Sequence, residues 1–227
     1  MKKRLGCLHA HYSNIDFIEQ ALAPFDIECT HFVDPALMHR VTSDPNFKES
    51  DAQHKVKEQL EWIAQSNVDA ILITCTNYVA LLQEEHLSIT VPIIKIDEPY
   101  FDTICQIQQP QKIIFTNPAT VEGTMERLHK HTNRLQKSLD LEAIVISDTF
   151  DLIMQGQNEE YNQEIVKFLT HIIQDEMTTI SVAQLSMVDA ARQVGSETST
   201  TIMNPLTPLV TSIVRLMKAE KKILHSE

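Results

Sequence analysis

Short apolar runs rich in Ile and Val alternate along the chain with longer segments in which apolar residues recur every three to four positions. A strand buried inside a parallel sheet reads as a continuous apolar run, and the helix that crosses back over it reads with helical periodicity. The alternation therefore predicts an α/β protein whose helices cover a largely parallel sheet. The expected strands are RLGCLHA (4–10), IECTHFV (27–33), VDAILIT (68–74), VPIIKI (91–96), KIIFT (112–116), EAIVIS (142–147), TTISVA (178–183) and TTIMN (200–204). Helices are expected near 14–22, 50–66, 77–85, 98–108, 120–137, 158–175, 186–193 and 206–220. Ser50 precedes an amphipathic run and reads as a helix start, and Pro205 opens the last helix with Pro208 tolerable in its first turn. The stretch PALMHRVTSDPNFKES (35–50) mixes helix and turn signals and reads as a flexible loop lining the mouth of a site.

The second half of this alternation repeats the first at an offset of 109 residues, which carries Gly6 to Phe115 and Cys75 to Gln184. Element order rather than residue identity carries the repeat. The expected architecture is two pseudo-symmetric Rossmann-like lobes with mainly parallel four-stranded sheets. Residues 1–98 plus 206–227 would form the first lobe and 99–205 the second, with the ends of matching strands facing a cleft.

Composition narrows the chemistry. With 227 residues, 43% of them hydrophobic, the chain can bury a core without staples. A net charge of -12 and the lack of a basic run interleaved with aromatics argue against nucleic acid as a partner. The four glycines, Gly6, Gly123, Gly156 and Gly195, are too scattered for either GxGxxG or GxxxxGK[ST], so no nucleotide cofactor is expected. Neither a signal-peptide core nor an 18-residue apolar run is present, which predicts a cytoplasmic protein with no membrane partner. Cys7, Cys29, Cys75 and Cys105 are widely spaced, giving no disulfide framework or paired-cysteine zinc pattern. Cys7, Cys29 and Cys105 read as core residues, and the scattered histidines give no reason to expect a metal.

Cys75 is different. In ILITCTNYVALL (71–82) an apolar strand runs to Thr74, and Cys75, Thr76 and Asn77 stand where it turns into a helix. Ligands of open α/β sheets bind outside such carboxyl ends, and a thiol there meets free N–H groups that favour its thiolate. Thr76 and Asn77 read either as helix caps or as donors to an anionic substrate. The first strand is followed by His9, His11 and Ser13, and the fifth by Thr116, Asn117 and Thr120. The histidines are candidates for moving a proton near neutral pH. The hydroxyl and amide groups are candidates for cradling an anion or for simple capping. In the second half, VAQLSMVDAA (182–191) supplies Gln184, which cannot exchange a proton, and Ser186, which reads as a cap that also faces the cleft.

Together LGCLHAH, THFVDPALMHRV, ILITCTNYVALL, VPIIKIDEP, TNPATVEGTMERL and VAQLSMVDAA make the chain resemble the aspartate/glutamate/hydantoin racemase superfamily over nearly its whole length, in a racemase-like branch with an AQxSM second motif. The resemblance implies a cofactor-free site between two lobes, where two cysteines on opposite faces of the substrate α-carbon exchange protons, and a candidate homodimer. By that analogy Cys75 is the first cysteine, Thr76 and Asn77 form a carboxylate-binding turn, and Thr120 belongs to an anion-binding segment. Gln184 stands where the second cysteine is expected, and His9-Ala10-His11 replaces the usual acidic or hydroxyl pair. The implied catalytic set is Cys75, His11 and Gln184, with His9, Ser13, Thr76, Asn77, Thr116, Asn117, Thr120 and Ser186 binding substrate. The leading expectation is an isomerase acting on a small carboxylate or amino acid through one cysteine. The alternatives are a small-acid binding or regulatory protein without turnover, and a related isomerase or decarboxylase.

Overall fold

The computed structural model describes residues 2–173 and 177–222. Seven of the expected apolar runs become strands. In chain order the elements are β1 (Lys3–His9), α1 (Ile15–Leu22), β2 (Ile27–Val33), α2 (Pro35–Ser43), α3 (Glu49–Ala64), β3 (Ala70–Ile73), α4 (Thr76–Leu81), β4 (Ile93–Lys95), α5 (Glu98–Ile104), β5 (Gln111–Phe115), α6 (Val121–Arg134), β6 (Leu141–Val145), α7 (Thr149–Met154), α8 (Asn158–Ile172), β7 (Thr179–Val182), α9 (Val188–Thr198) and α10 (Leu206–Met217). The chain divides into two units, Met1–Glu98 with Leu209–Glu227, and Pro99–Pro208. No helix among the described residues is long and apolar enough to cross a membrane.

Each unit is built on a parallel sheet with the same strand logic. The first has the order β2-β1-β3-β4, with Cys7 opposite His31 on one side and Leu72 on the other. The second has the order β6-β5-β7. It has three strands rather than the expected four. The segment 200–204 contributes one bridge between Met203 and Ser181, with Val182 N–H donating to Met203 O at 2.8 Å and Met203 N–H to Ile180 O at 3.0 Å. Pairing stops there because the Asn204 side chain accepts from the N–H groups of Leu206 and Thr207 and so starts α10.

The expected loop at 35–50 is a helix over its first nine residues. Asp34 accepts from Ala36 N–H at 2.9 Å and Leu37 N–H at 3.3 Å, and Pro35 in the first position suits a helix start. Lys48, not Ser50, precedes α3; its N–H donates to the Asp51 carboxylate at 3.0 Å. Helix α7 was not expected from the pattern and follows Asp148, whose φ of 61° lies in the left-handed region.

Both sheets are covered on their faces. In the first unit Leu8, Ile71 and Ile73 pack with Ala52, Val56, Leu60 and Ile63 of α3. In the second, Ile114, Ile180 and Val182 pack with Ile165, Leu169 and Val194 from α8 and α9, while Ile113 and Phe115 meet Tyr100, Phe101 and Leu128 on the opposite face. The tightest approach is at Gly6, where an added Cβ would lie 2.5 Å from Ile63 Cγ2 and 3.3 Å from Val68 Cγ1. Ile63 is 1% exposed and cannot swing away. Gly6→Ala is therefore expected to destabilise the protein by about 1–3 kcal/mol, read as a lower urea midpoint with an unchanged denaturant slope.

Candidate functional site

In the first unit β1 lies between β2 and β3, so its order reverses there, and ligand sites of open parallel sheets form outside the carboxyl ends at such a reversal. Cys75 ends β3 in an extended conformation, φ −113° and ψ 120°, as the residue that precedes α4. It is partly exposed, as is Thr76, and Asn77 is exposed. The Cys75 carbonyl accepts from Val79 N–H at 3.0 Å, leaving the first-turn N–H groups of α4 without intrahelical acceptors. The residue at the cap position, Cys75, makes no side-chain capping bond, and Thr76 and Asn77 lie inside the helix rather than acting as the expected caps. Beneath them Tyr78 is buried, donates to Asp34 O at 2.6 Å, and has its phenol pKa raised, chiefly by burial and then by the charges of Asp34 and Cys75.

The turn after β1 lies beside that strand end. Asn14 Nδ2 donates to Thr74 O at 3.3 Å, tying the two turns together. His11 precedes the short helical turn Tyr12–Asn14, and its Nδ1 accepts from Ser13 N–H at 3.2 Å and lies 2.9 Å from Ser13 Oγ. A neutral His11 therefore carries its proton on Nε2. Its ring also stacks on Tyr12 at 4.2 Å between centroids.

His9 is not the loop residue that the sequence implied. It is the last residue of β1, wholly buried, and cannot touch a ligand outside the sheet. Its Nδ1 lies 2.8 Å from Thr74 Oγ1 and its Nε2 2.8 Å from His31 Nδ1, while His31 Nε2 lies 2.9 Å from Glu19 Oε1. Burial, then the neighbouring His31, lowers the His9 pKa to about 4, so its ring is neutral near pH 7. The thiol of Cys7 shares this surroundings: Cys7, His9 and His31 present ligand-type atoms within 4.8 Å of one another, as do Glu19, Cys29 and His31. Sequence reading missed this group and Thr74. The available signal was a Cys-x-His triplet occurring twice, at 7–9 and 29–31, on two strands expected to be neighbours.

The second unit repeats the reversal at β5, and its polar residues are tied to each other. Gln184 Oε1 accepts from Thr116 N–H at 2.7 Å, Thr116 Oγ1 at 3.0 Å and Asn117 N–H at 3.1 Å. The carbonyl end of Gln184 thus clamps the end of β7 to the end of β5, and Nε2 is its remaining donor. Thr116 is 1% exposed and also meets Tyr161 Oη at 2.9 Å, which places it below the surface rather than in a ligand cradle. Tyr161 Oη lies 2.7 Å from Ser186 Oγ. Ser186 sits inside the turn Leu185–Met187 and does not cap it, because Gln184 is the preceding residue. Asn117 Oδ1 accepts from Ala119 N–H at 3.0 Å, and Thr120 Oγ1 donates to Asn117 O at 2.9 Å, leaving both residues partly exposed.

Known structures share this fold. An aspartate racemase from Picrophilus torridus matches with a TM-score of 0.69 at 9% identity, over 97% of this chain and 96% of its own. An allantoin racemase from Klebsiella pneumoniae matches at 0.67 and 16% identity, over 95% and 88%. A glutamate racemase isoform from Bacillus anthracis matches at 0.66 and 13% identity, over 96% and 83%. No family model and no curated protein matches the sequence.

The Gln184 clamp gives a direct test. Gln184→Met leaves the N–H groups of Thr116 and Asn117 without their acceptor, at a cost of about 1–3 kcal/mol, and speeds hydrogen exchange at those two amides. Gln184→Glu keeps an acceptor oxygen and keeps the slow exchange.

Proposed function

We propose that this chain, which has the fold of the aspartate/glutamate/hydantoin racemase superfamily, is a cofactor-independent racemase-like enzyme acting on a small carboxylate or amino acid through Cys75. The observation that carries the reading is the position of that thiol: partly exposed, at the carboxyl end of β3, where the sheet order reverses and α4 begins. Fold alone does not decide chemistry; the thiol and its neighbours do.

As a thiolate, Cys75 Sγ takes the proton from the carbon next to the carboxylate. The electron pair left behind moves into the carboxylate as an enediolate. Thr76 and Asn77 supply donors for the oxygens, and their bonds must strengthen as that charge builds for the rate to rise. Reprotonation needs an acid other than a second thiol, since Gln184 takes the corresponding place in the second unit. His11 Nε2–H, or water, is the acid assigned to that step, with Ser13 holding the His11 tautomer. Buried His9 acts as a positioning residue in the first unit, and buried Thr116 does so within the second.

A second reading, reversible binding of a small acid without turnover, is favoured by one feature: the carbonyl end of Gln184 is spent on the Thr116–Asn117 clamp. Incubation with amino and dicarboxylic acids in heavy water separates the two. Turnover predicts solvent deuterium at the substrate α-carbon, lost by about 10²–10⁴-fold in Cys75→Ala while the small acid still binds. Saturable binding with no deuterium incorporation, isomerisation or carbon dioxide release in wild type would leave only the binding reading.

A further inference from the structure

The geometry points to a tetrahedral, zinc-type divalent metal site in the first unit, built from Cys7 and His9 of β1 and Cys29 and His31 of β2, separate from Cys75. Two Cys-x-His triplets on adjacent parallel strands generate it. Alternate residues of a strand share a face, and the register sets Cys7 opposite His31 and Leu5 opposite Cys29, so all four side chains stand on the same face of the sheet. Two overlapping triplets of ligand-type atoms result. The ligand atoms of Cys7, His9 and His31 lie within 4.8 Å of one another, and those of Cys29, His31 and Glu19 do likewise, so the two triplets share His31.

The groups behind the histidines are arranged as metal ligands require. A ligating imidazole is fixed by a hydrogen bond from its other nitrogen, commonly to a carboxylate. The His31 nitrogens are divided in that way, Nδ1 facing the cluster and Nε2 facing Glu19 Oε1 at 2.9 Å. For His9, Nε2 faces the cluster and Nδ1 faces Thr74 Oγ1 at 2.8 Å, and that hydroxyl has its own acceptor in Leu8 O at 3.2 Å. With an ion bound, His9 Nδ1–H donates to Thr74, Thr74 donates to Leu8 O, and His31 Nε2–H donates to Glu19, so every polar group stays satisfied. Without one, His9 Nε2 and His31 Nδ1 at 2.8 Å must share a single proton between them. Tetrahedral coordination at about 2.0–2.3 Å sets ligand atoms roughly 3.3–3.8 Å apart, so binding needs the histidine pair to open slightly and the Cys29 side chain, on the partly exposed edge strand, to turn in towards Cys7 and His9.

Two thiolates and two imidazoles suit zinc among the common divalent ions, and four protein ligands leave no open position, which marks the ion as structural rather than catalytic. A disulfide is the poorer explanation of the thiol pair: Cys7 and Cys29 are diagonal neighbours across the strand pair, and diagonal positions are about 7–8 Å apart at the backbone, beyond usual disulfide reach. Cys29 and His31 are partly exposed on edge strand β2, which gives the ion a route in from solvent.

The test uses the full chain, stripped with a chelator, reduced, and titrated with zinc or cobalt(II). About one ion should bind per chain, and the cobalt form should show thiolate-to-metal charge transfer with the intense visible bands of a tetrahedral site. Glu19→Gln, which alters only an outer partner, should raise Kd by about 10–100-fold. Cys29→Ser and His31→Gln, at the partly exposed rim, should raise it further, Cys29→Ser also lowering the charge-transfer intensity. Cys75→Ala should bind as wild type. Binding far below one ion per chain, a cobalt spectrum without thiolate bands, or an affinity unchanged in both Cys29→Ser and His31→Gln overturns the site. Loss of binding in Cys75→Ala overturns its location.

Discussion

The place of β1 between β2 and β3 organises the chemistry of the first unit. To pair on both edges of one strand, the chain must leave β1 towards β2 and later return to the opposite edge as β3, and right-handed crossovers then put the intervening helices on opposite faces. The loops at the carboxyl ends of β1 and β3 consequently part from each other. That parting leaves Cys75 partly exposed although the four residues before it in β3 are fully buried. The second unit obeys the same rule around β5, which is why Thr116, Asn117 and Gln184 meet although 67 positions separate Asn117 from Gln184.

Equal topology has produced unequal chemistry. At the end of β3 the side chain is a thiol that makes no capping bond to the helix after it; at the end of β7 it is an amide whose oxygen holds three donors. A thiol cannot make the second arrangement, because sulfur is a weak acceptor and carries no separate donor. Gln184 therefore serves cohesion within the second unit, and an amide cannot exchange a proton as a thiol can. In the first unit the His11 turn is ordered locally, its Nδ1 accepting from Ser13 N–H, which leaves the proton of a neutral ring on Nε2.

Much of this was legible in the chain. Apolar runs such as AILI (70–73) can be little else than buried strands, and the helix-strand alternation fixes parallel pairing. The place of Cys75 between a strand and a helix was legible because a single residue separates it from such a run. What periodicity could not supply was side-chain partnership. Asp34 looked like one more polar residue in a mixed stretch, yet its two accepted bonds turn 35–43 into a helix. TTIMN had a strand's composition, but Asn204 does more for α10 as a cap than it would in a ladder. His9 looked like a loop histidine because it borders a polar turn; one residue of register separates that position from the buried end of β1.

Thr74 belongs to both of the networks that result. Its carbonyl receives Asn14 from the β1 turn, its hydroxyl meets His9, and the next residue is Cys75. The hydroxyl is a donor to His9 Nδ1 when the histidine pair shares a proton, and an acceptor from it when both rings turn their lone pairs to an ion. That reversal changes the polarity of the last buried group before the thiol without moving the strand. The Cys-x-His face of the sheet and the carboxyl end of β3 are thus joined through the single hydrogen bond between His9 and Thr74.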